Sequence, residues 1–264
     1  MDLASGLFLR MVVRSVFTHG LRGAARVHAA LRAGDVLLAD RAFAGFAHLA
    51  LLSERGIGCV FRIGASHKDA DGRTCWRKCG RTAPRWFDPT LFRKLRKFVD
   101  VRIVSYQIEQ PGYRTRAVRL VTTLLDEQRW SDRQLRDLYA RRWEIETAFG
   151  HAKTTLGMAT PRCKTTEGVM KELAVYLIVY NLIRLQMLAW AEQESVDVRR
   201  VSFIDAARYL AAIAMGLRGV ARPIVNPDRS GRRQLRVLRR RAKHYPLLTK
   251  PRSASDINHD PRRR

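Results

Sequence analysis

The feature that most constrains the fold is a pair of short apolar runs separated by a helical pattern. Residues 35–39 read DVLLA, and the helical pattern of residues 46–54, closed by Gly56, leads to a second run at residues 58–63. Runs this short and this apolar are typical of strands buried on both faces of a parallel or mixed sheet. The alternation therefore predicts an α/β layer fold. Asp40 follows the first run directly, at the carboxyl end where such folds bind ligands.

Apolar patterns elsewhere predict the remaining elements. Residues 7–13 are expected to form a strand entered from a hairpin, with residues 1–3 as the tail of an earlier strand. Residues 169–191 are apolar on most faces and are expected to be packed inside the protein, because polar residues interrupt them too often for a membrane span. Further helices are predicted at 21–31 and 203–215, and further strands at 99–107 and 117–125. No ordered signal peptide is recognisable, which predicts a cytoplasmic, nucleoid-associated protein without a membrane partner.

The charge of the chain indicates a polyanionic partner. The formal net charge is +26 over 264 residues, which favours DNA or RNA, with an anionic membrane surface as the second candidate. Two segments hold most of the excess: residues 64–116 have 13 Lys and Arg against 5 Asp and Glu, and residues 216–264 have 15 against 3. The second segment is either a disordered solubilising tail or a segment that folds on a phosphate backbone. Its candidate DNA contacts are Arg239, Arg240, Arg241 and Lys243.

Aromatic and cysteine residues in the first basic segment have two interpretations each. Trp76 and Trp86 lie among cations, which suits stacking on bases, but core packing in a small domain explains them equally well. Cys75 and Cys79 resemble half of a metal knuckle. Because no second ligand pair follows at the required spacing, free thiols are the preferred interpretation of all four cysteines.

Residues 131–156 have the strongest chemical pattern. Ser131 is a good helix cap, and the residues after it predict one long helix or a helix pair. At about 100° per residue, Tyr139, Arg142, Glu146 and Lys153 project into one arc of about 60°. A carboxylate beside a guanidinium, an ammonium and a phenol suits a divalent cation and the phosphates on which it acts. A solvated helix face with ion pairs four residues apart explains the same spacing.

An apolar stripe on the same segment is expected to dock it on the core, and its members are Leu138, Ile145, Phe149 and Leu156. The other acid, Glu144, points about 140° away from Tyr139 on an ideal helix. This direction favours Glu146 over Glu144 as a site residue.

The order Tyr139, Arg142, Glu146 and Lys153 resembles the Y-R-E-K signature of bacterial insertion-sequence transposases of the insertion-sequence-four type, a group of DDE transposases. Asp40, in LLADRAFAGF, is similar to the second catalytic aspartate of that family. The segments LVTTLLD, KTTEGVMKELAVYLIVYNLIRL and RRRAKHYPLLTKPR agree further. The resemblance covers nearly the whole chain from about Leu31 onward.

The resemblance implies a ribonuclease-H-like mixed sheet flanked by helices, with a β-rich insertion and a helical, basic C-terminal region. It implies that Asp40 and Glu146 are catalytic and bind Mg²⁺, or Mn²⁺ in its place, and approach each other although 106 positions separate them. Tyr139, Arg142 and Lys153 would hold the DNA of the element's ends. The implied partners are duplex DNA and a second copy in a synaptic complex. The implied division is 1–63 and 117–192 for the catalytic domain, 64–116 for the insertion and 193–264 for the C-terminal helix and tail.

One departure from the family pattern concerns the first catalytic aspartate. Asp2 is the only acid before Asp35, and MDLASG resembles a turn beyond the catalytic position. We therefore expect a truncated copy that lacks the first acid, or one that uses a separately encoded N-terminal half. Two other hypotheses remain: a catalytically dead DNA-binding remnant, and another ribonuclease-H-like nuclease that cleaves without end specificity.

Overall fold

Five strands form one mixed sheet in the computed structural model, which describes residues 1–13, 28–64, 67–78, 82–85, 87–108 and 117–227. The strand order is β1-β2-β5-β4-β3, with β1 parallel to β2 and every other neighbouring pair antiparallel. The strands are β1 (Val36–Ala39), β2 (Gly58–Ile63), β3 (Gly72–Arg77), β4 (Phe98–Gln107) and β5 (Ala117–Thr122). The α/β prediction is confirmed, including the bounds of β2 and the position of Asp40 after β1.

Six α-helices accompany the sheet within the described residues. They are α1 (Phe46–Glu54), α2 (Pro89–Lys94), α3 (Asp132–Ala140), α4 (Trp143–Gly150), α5 (Thr166–Gln193) and α6 (Phe203–Ala214). Short 3₁₀ turns lie at His28–Ala30, Arg41–Phe43 and Val198–Arg200, and a π turn, His151–Thr155, continues α4. Local sequence explains the ends: Gly56, at φ 69°, follows α1, and the side chains of Thr165 and Ser202 cap α5 and α6.

Helices cover both faces of the sheet because the strands are apolar on both sides. On one face, Phe61 and Val101 pack with Leu49 and Leu52 of α1 in the largest apolar cluster. On the other face, Val60, Val104 and Leu120 pack with Leu135 and Tyr139 of α3. Neighbouring residues of β2 therefore serve opposite layers, as the alternation of side chains along a strand requires.

A third cluster joins the helices that follow α3. Phe8 packs there with Ala148 of α4, Tyr180 and Met187 of α5, and Phe203 of α6. The predicted apolar stripe of residues 131–156 divides between two clusters, since Leu138 contacts the sheet cluster and its other three members contact the helical one. The segment is thus fixed on the sheet at its start and on α5 and α6 at its end.

Several predicted elements differ in the structure. Residues 7–13 do not form a strand, because the backbone of Phe8 bonds to the side-chain amide of Asn181 at 2.9 and 3.1 Å instead of to a neighbouring strand. Residues 1–3 enter a turn and not a strand end. Of the predicted helix 21–31, residues 28–31 fall within the described residues, and they form a 3₁₀ turn at residues 28–30. The sequence pattern did not predict β3, which pairs with β4 in the main sheet.

The prediction that residues 169–191 are packed inside was wrong for one face of α5. Tyr180, Ile183 and Met187 are buried, whereas Ile178 and Leu182 are 59% and 54% exposed. Among the described residues, the elements that lie against this helix are the N-terminal segment, α4, the π turn, the 3₁₀ turn Val198–Arg200 and α6, and they cover one side of it.

Candidate active site

Asp40 lies at the carboxyl end of β1, on the exposed side of the sheet edge. Its backbone is extended, with φ −80° and ψ 172°, and it caps the short turn Arg41–Phe43. The Arg41 N–H donates to Asp40 Oδ1 at 2.6 Å, and the Phe43 N–H donates to the Asp40 carbonyl at 2.9 Å. The strand and the turn together fix the backbone from which this carboxylate projects.

The segment that holds the other candidates is a helix pair, so that alternative of the sequence prediction is confirmed. A capping box starts α3: the Ser131 N–H donates to Gln134 Oε1 at 2.9 Å, and the Gln134 N–H donates to Ser131 Oγ at 3.3 Å. Between α3 and α4, the N–H groups of Arg141 and Arg142 bond three residues back, to Leu138 and Tyr139. The segment is therefore wound more tightly than an α-helix between Tyr139 and Glu146.

Tyr139, Arg142 and Glu146 form one contiguous group. Arg142 Nη1 donates to Glu146 Oε1 at 3.0 Å, and the guanidinium carbon of Arg142 lies 5.8 Å from the centre of the Tyr139 ring and 5.8 Å from that of Trp143. The Arg142 side chain is 19% exposed, whereas that of Glu146 is 45% exposed. The carboxylate therefore reaches solvent, and the guanidinium beneath it is held against aromatic rings.

Asp40 joins this group through its charge. Burial by itself would lower the pKa of the Arg142 guanidinium, but the neighbouring Tyr139, Glu146 and Asp40 outweigh burial, and that pKa is raised. Asp40 also acts on the Tyr139 phenol, on which burial is the largest influence and raises the pKa to about 12. An acid on β1 thus lies within electrostatic range of two groups on the helix pair.

Two polar atoms in this group are buried without a hydrogen-bond partner among the described residues. They are the Tyr139 hydroxyl and Arg142 Nε. The Arg142 guanidinium lowers the pKa of the phenol, but the two groups do not meet in hydrogen-bond geometry. Because an unpaired buried polar group costs roughly 1–3 kcal/mol, such groups are uncommon in stable folds and concentrate at functional sites.

Lys153 lies farther along, in the π turn. It is exposed, and its Nζ lies 5.4 Å from the centre of the Phe149 ring. It forms no ion pair with any described residue. The π turn has wider hydrogen-bonded rings than an α-helix, so the single stripe calculated for an ideal helix does not extend unchanged from Glu146 to Lys153. π turns of this kind are frequent at functional sites.

Glu144 and Asp2 lie in a different environment. Glu144 accepts from Arg141 Nε at 2.8 Å and lies 3.9 Å from Arg199. The Asp2 carboxylate accepts from the Ser5 N–H at 2.8 Å and closes the first turn of the chain. Both carboxylates are thus engaged in local structure, apart from the group around Arg142.

The sequence pattern did not predict Arg62, whose charge affects Tyr139 in the group around Arg142. It lies on β2, and its charge lowers the pKa of Tyr139 and of Tyr106 against the larger, opposite effect of burial. Its place in β2 puts it on the face that packs against α3, with Val60. The only signal in the sequence is a cation inside an otherwise apolar strand, GCVFRI. A charged residue at such a position needs a partner or a ligand.

Arg102 positions the start of α3. Its side chain, 2% exposed, donates from Nη2 to the Trp130 carbonyl and lies 3.9 Å from the Asp132 carboxylate. This contact ties β4 to the residues on either side of the Ser131 cap. The direction of the helix that holds Tyr139 is therefore set by a buried cation on the sheet.

The number of carboxylates in the group around Arg142 decides whether that group could bind a divalent metal ion. Within the described parts of the chain, no group of three or more His, Cys, Asp or Glu side chains is arranged to hold a metal ion. Two carboxylates, Asp40 and Glu146, both act on the Arg142 guanidinium. Mg²⁺ commonly uses one or two protein carboxylates together with waters and substrate phosphates.

The remaining predictions concern the cysteines, the two tryptophans and the basic residues near the C-terminus. Cys59, Cys75 and Cys163 are free thiols, and Cys79 lies outside the described residues. Trp76 stacks on His67 at 4.9 Å and packs against the main cluster, which supports the core interpretation, whereas Trp86 is not described. Arg239, Arg240, Arg241 and Lys243 also lie outside the described residues.

Comparison with known proteins decides the family. Residues 1–182 match the family described as Transposase DDE domain. The chain belongs to the DDE transposases of the insertion-sequence-four type. It is 31% identical over 140 residues to the protein named Transposase InsG for insertion sequence element IS4, from Escherichia coli strain K12. The aligned region covers 50% of this chain and 32% of that relative, so the chain spans about a third of the length of the relative that it matches.

DDE transposases act on DNA and generally use divalent metal ions, and the net charge of +26 agrees with DNA as a partner. The family match ends at residue 182, within α5, so it includes β1, the helix pair and the π turn. All five residues named from the resemblance, from Asp40 to Lys153, lie inside it.

Proposed function

We propose that this DDE transposase catalyses metal-dependent cleavage of DNA phosphodiesters and joining of the element's ends to a target, in the cytoplasm and associated with the nucleoid. The observation that supports the proposal best is the group formed by Asp40, Arg142 and Glu146. One guanidinium interacts with two carboxylates that come from a sheet edge and a helix 106 positions apart. Because the chain belongs to the DDE transposases, we interpret this group as the catalytic site.

Asp40 and Glu146 would hold the divalent ion, Mg²⁺ or Mn²⁺. When bound, such an ion polarises the scissile phosphate and stabilises the charge that develops on it. Glu146 is held by Arg142 at 3.0 Å, and its 45% exposure leaves the carboxylate accessible from solvent. Arg142 would keep this carboxylate oriented.

Tyr139, Arg142, Lys153 and Arg62 would bind the DNA backbone. The Tyr139 hydroxyl and Arg142 Nε are buried without a described partner, so a phosphate oxygen would accept from them where the side chains that cover them move aside. Arg62 would add positive charge from the sheet side, and Lys153, which is exposed, from the far end of the helix pair. These contacts position the backbone and do not by themselves read its sequence.

The basic segments would supply most of the affinity for duplex DNA. Residues 216–264, which include Arg239, Arg240, Arg241 and Lys243, have 15 Lys and Arg against 3 acids. Charge of this density neutralises phosphates and releases counterions, which gives binding with little sequence preference. End specificity and target choice would then depend on contacts nearer the catalytic group.

Metal binding by matched variants tests the proposal. Mn²⁺ uptake by the full chain is measured by electron paramagnetic resonance for the wild type, Asp40→Asn, Glu146→Gln and Glu144→Gln. We expect weak uptake by the wild type and by Glu144→Gln, and a loss of at least roughly tenfold in affinity for the other two. Glu144 is the matched control, because it lies on the same helix but pairs with Arg141. Uptake that is unchanged in Asp40→Asn and Glu146→Gln would contradict the assignment.

The same variants separate the other two hypotheses. A DNA-binding remnant would bind duplex DNA with steep salt dependence but take up no Mn²⁺. Another ribonuclease-H-like nuclease would take up Mn²⁺ and nick plasmid DNA without preferring fragments that contain the element's ends. Metal uptake followed by cleavage at those ends supports the transposase.

A further inference from the structure

A row of polar side chains crosses the sheet from the candidate active site towards β4. The parallel register of β1 and β2, continued by one residue, places Asp40 beside Arg62. Through Leu120 of β5, Arg62 is aligned with Val104 of β4, and Tyr106 follows Val104 by two residues. Because side chains alternate along a strand, Asp40, Arg62 and Tyr106 share the face that packs against α3.

A cavity of about 370 Å³ lies at the β4 end of this row. Tyr106 lines it from the sheet, and Arg133 and Arg136 line it from α3. At about 100° per residue, Arg136 lies one turn before Tyr139 and about 60° to its side. The cavity is therefore about one turn of helix away from the group around Arg142.

The cations of this row are only partly neutralised. Arg62 makes no hydrogen bond or ion pair with another residue in the described part of the chain. Asp137 lies 3.3 Å from Arg136, whose side chain is 45% exposed, and is shared with a second arginine of α3 at 3.9 Å. The acid that lines the cavity, Asp132, lies 3.9 Å from the buried Arg102. Each of these carboxylates is thus paired already, and Arg62 and Arg136 can attract a further anion.

Tyr106 adds a neutral hydrogen-bond donor to these charges. Burial raises the pKa of its phenol, while Arg62 and Arg136 act against burial and Asp137 acts with it. The phenol is therefore protonated at neutral pH, and its hydroxyl has no hydrogen-bond partner among the described residues. Arg62 acts on both Tyr106 and Tyr139, so its charge lies between the cavity and the candidate site.

The length of the row indicates the kind of anion. Two strand spacings across the sheet and two residues along β4 separate the Cα atoms of Arg62 and Tyr106 by about 12 Å. Beyond Arg62, the row continues to Tyr139 and Arg142 of the candidate site. Donors repeated over such a length suit an anion with repeated charges, such as a DNA strand, better than one free phosphate.

We propose that Tyr106 and Arg136 bind a second phosphate of the DNA strand in this cavity, with Arg62 between it and the catalytic group, an inference that rests on the proposed function. The Tyr106 hydroxyl and the Arg136 guanidinium would both donate to this phosphate. Such a contact fixes the path of the strand past Asp40 and Glu146 without reading its bases.

Fluorescence anisotropy of the full chain with duplex DNA, in EDTA and over a range of salt concentrations, tests the proposal. Arg136→Gln should weaken binding about tenfold and lower the slope of log affinity against log salt by about 0.9, because one phosphate loses its cation. Tyr106→Phe keeps the ring packed and should weaken binding about fivefold with an unchanged slope. Arg208→Gln is the matched control, with an expected change below about twofold, because Arg208 also pairs with an acid of its own helix, at 3.4 Å.

Double variants show whether the two residues hold one phosphate. Tyr106→Phe should add less than about twofold to the loss in Arg136→Gln, because both side chains contact the same group. Arg142→Gln should instead multiply that loss, because Arg142 would hold a different phosphate. Circular dichroism checks that each variant keeps the wild-type helix content.

Three results would overturn the proposal. Wild-type affinity and slope in Arg136→Gln and Tyr106→Phe, together with weaker binding by Arg142→Gln, would remove the second phosphate site and leave the proposed function intact. Unchanged binding by all three variants would contradict the DNA contacts of the proposed function as well. Displacement of the DNA by roughly millimolar inorganic phosphate from the wild type, but not from Arg136→Gln, would assign the cavity to a small free anion.

Discussion

Replacing Tyr139 with phenylalanine should make this protein more stable and less able to bind DNA. The Tyr139 side chain is 7% exposed, and its hydroxyl is buried without a described hydrogen-bond partner. An unpaired buried hydroxyl costs roughly 1–3 kcal/mol, and phenylalanine keeps the ring packed against Leu135 and the sheet. We therefore expect Tyr139→Phe to raise the free energy of unfolding by about 1 kcal/mol at neutral pH.

The difference between wild type and variant should grow at high pH. Burial raises the pKa of Tyr139 to about 12, with Asp40 acting in the same direction and Arg142 and Arg62 against it. Because tyrosine in the unfolded chain titrates near pH 10, the unfolded state loses its proton first as the pH rises from about 10 to about 12. The wild type then loses stability by up to about 1.4 kcal/mol per pH unit, and the variant does not share this loss.

Urea unfolding followed by circular dichroism at pH 7, 9, 10 and 11 measures both effects. DNA affinity, measured by fluorescence anisotropy at fixed salt, should fall about tenfold in Tyr139→Phe, since one hydrogen bond to a charged phosphate is lost. Tyr209→Phe is the matched control for DNA binding, because that ring packs on Trp190 in the helical cluster. A Tyr139→Phe variant that is less stable than the wild type at pH 7 would show that the hydroxyl has a structural partner. A difference that stays constant up to pH 11 would refute the argument from burial.

Three further predictions concern stability and binding. Burial lowers the pKa values of His28 and His48 to about 4, so the free energy of unfolding should fall as the pH decreases from 6.5 toward 4, by on the order of 3 kcal/mol per histidine at most. Urea unfolding across this pH range measures the loss, and a flat profile would contradict the prediction. The Leu135 side chain is 0% exposed, so Leu135→Ala leaves a cavity between α3 and the sheet and should lower the free energy of unfolding by about 2–5 kcal/mol. A loss below about 1 kcal/mol in urea unfolding would refute this packing. Log affinity for duplex DNA should fall with log salt by about 0.9 per phosphate neutralised, and deletion of residues 232–264 should flatten that slope; an unchanged slope would exclude the tail as a DNA contact.

Patterns within a few residues of one another predicted most elements of this fold. Apolar runs indicated β1 and β2, Gly56 indicated the end of α1, and Ser131 indicated the cap of α3, since burial periodicity and capping depend on neighbours along the chain. Asp40 and the Y-R-E-K order indicated the family from sequence alone. The strand prediction for residues 7–13 was wrong for the same reason: a local apolar pattern cannot indicate that a distant side-chain amide, Asn181, bonds the backbone of Phe8.

Only the tertiary structure decided which charged groups meet. Arg62 and Asp40 reach Tyr139 because β1 and β2 pair in parallel and α3 packs across them, held at its start by Arg102, and none of these contacts is local in sequence. The tertiary structure also decided which side of α5 is exposed. Its composition predicts a helix that is apolar all round, but the number of elements that pack against it decides which side stays exposed. Sequence therefore determined β1, β2, the cap of α3 and the family. Long-range packing determined the grouping of charges and the uncovered face of α5, because burial depends on neighbours brought together by the fold.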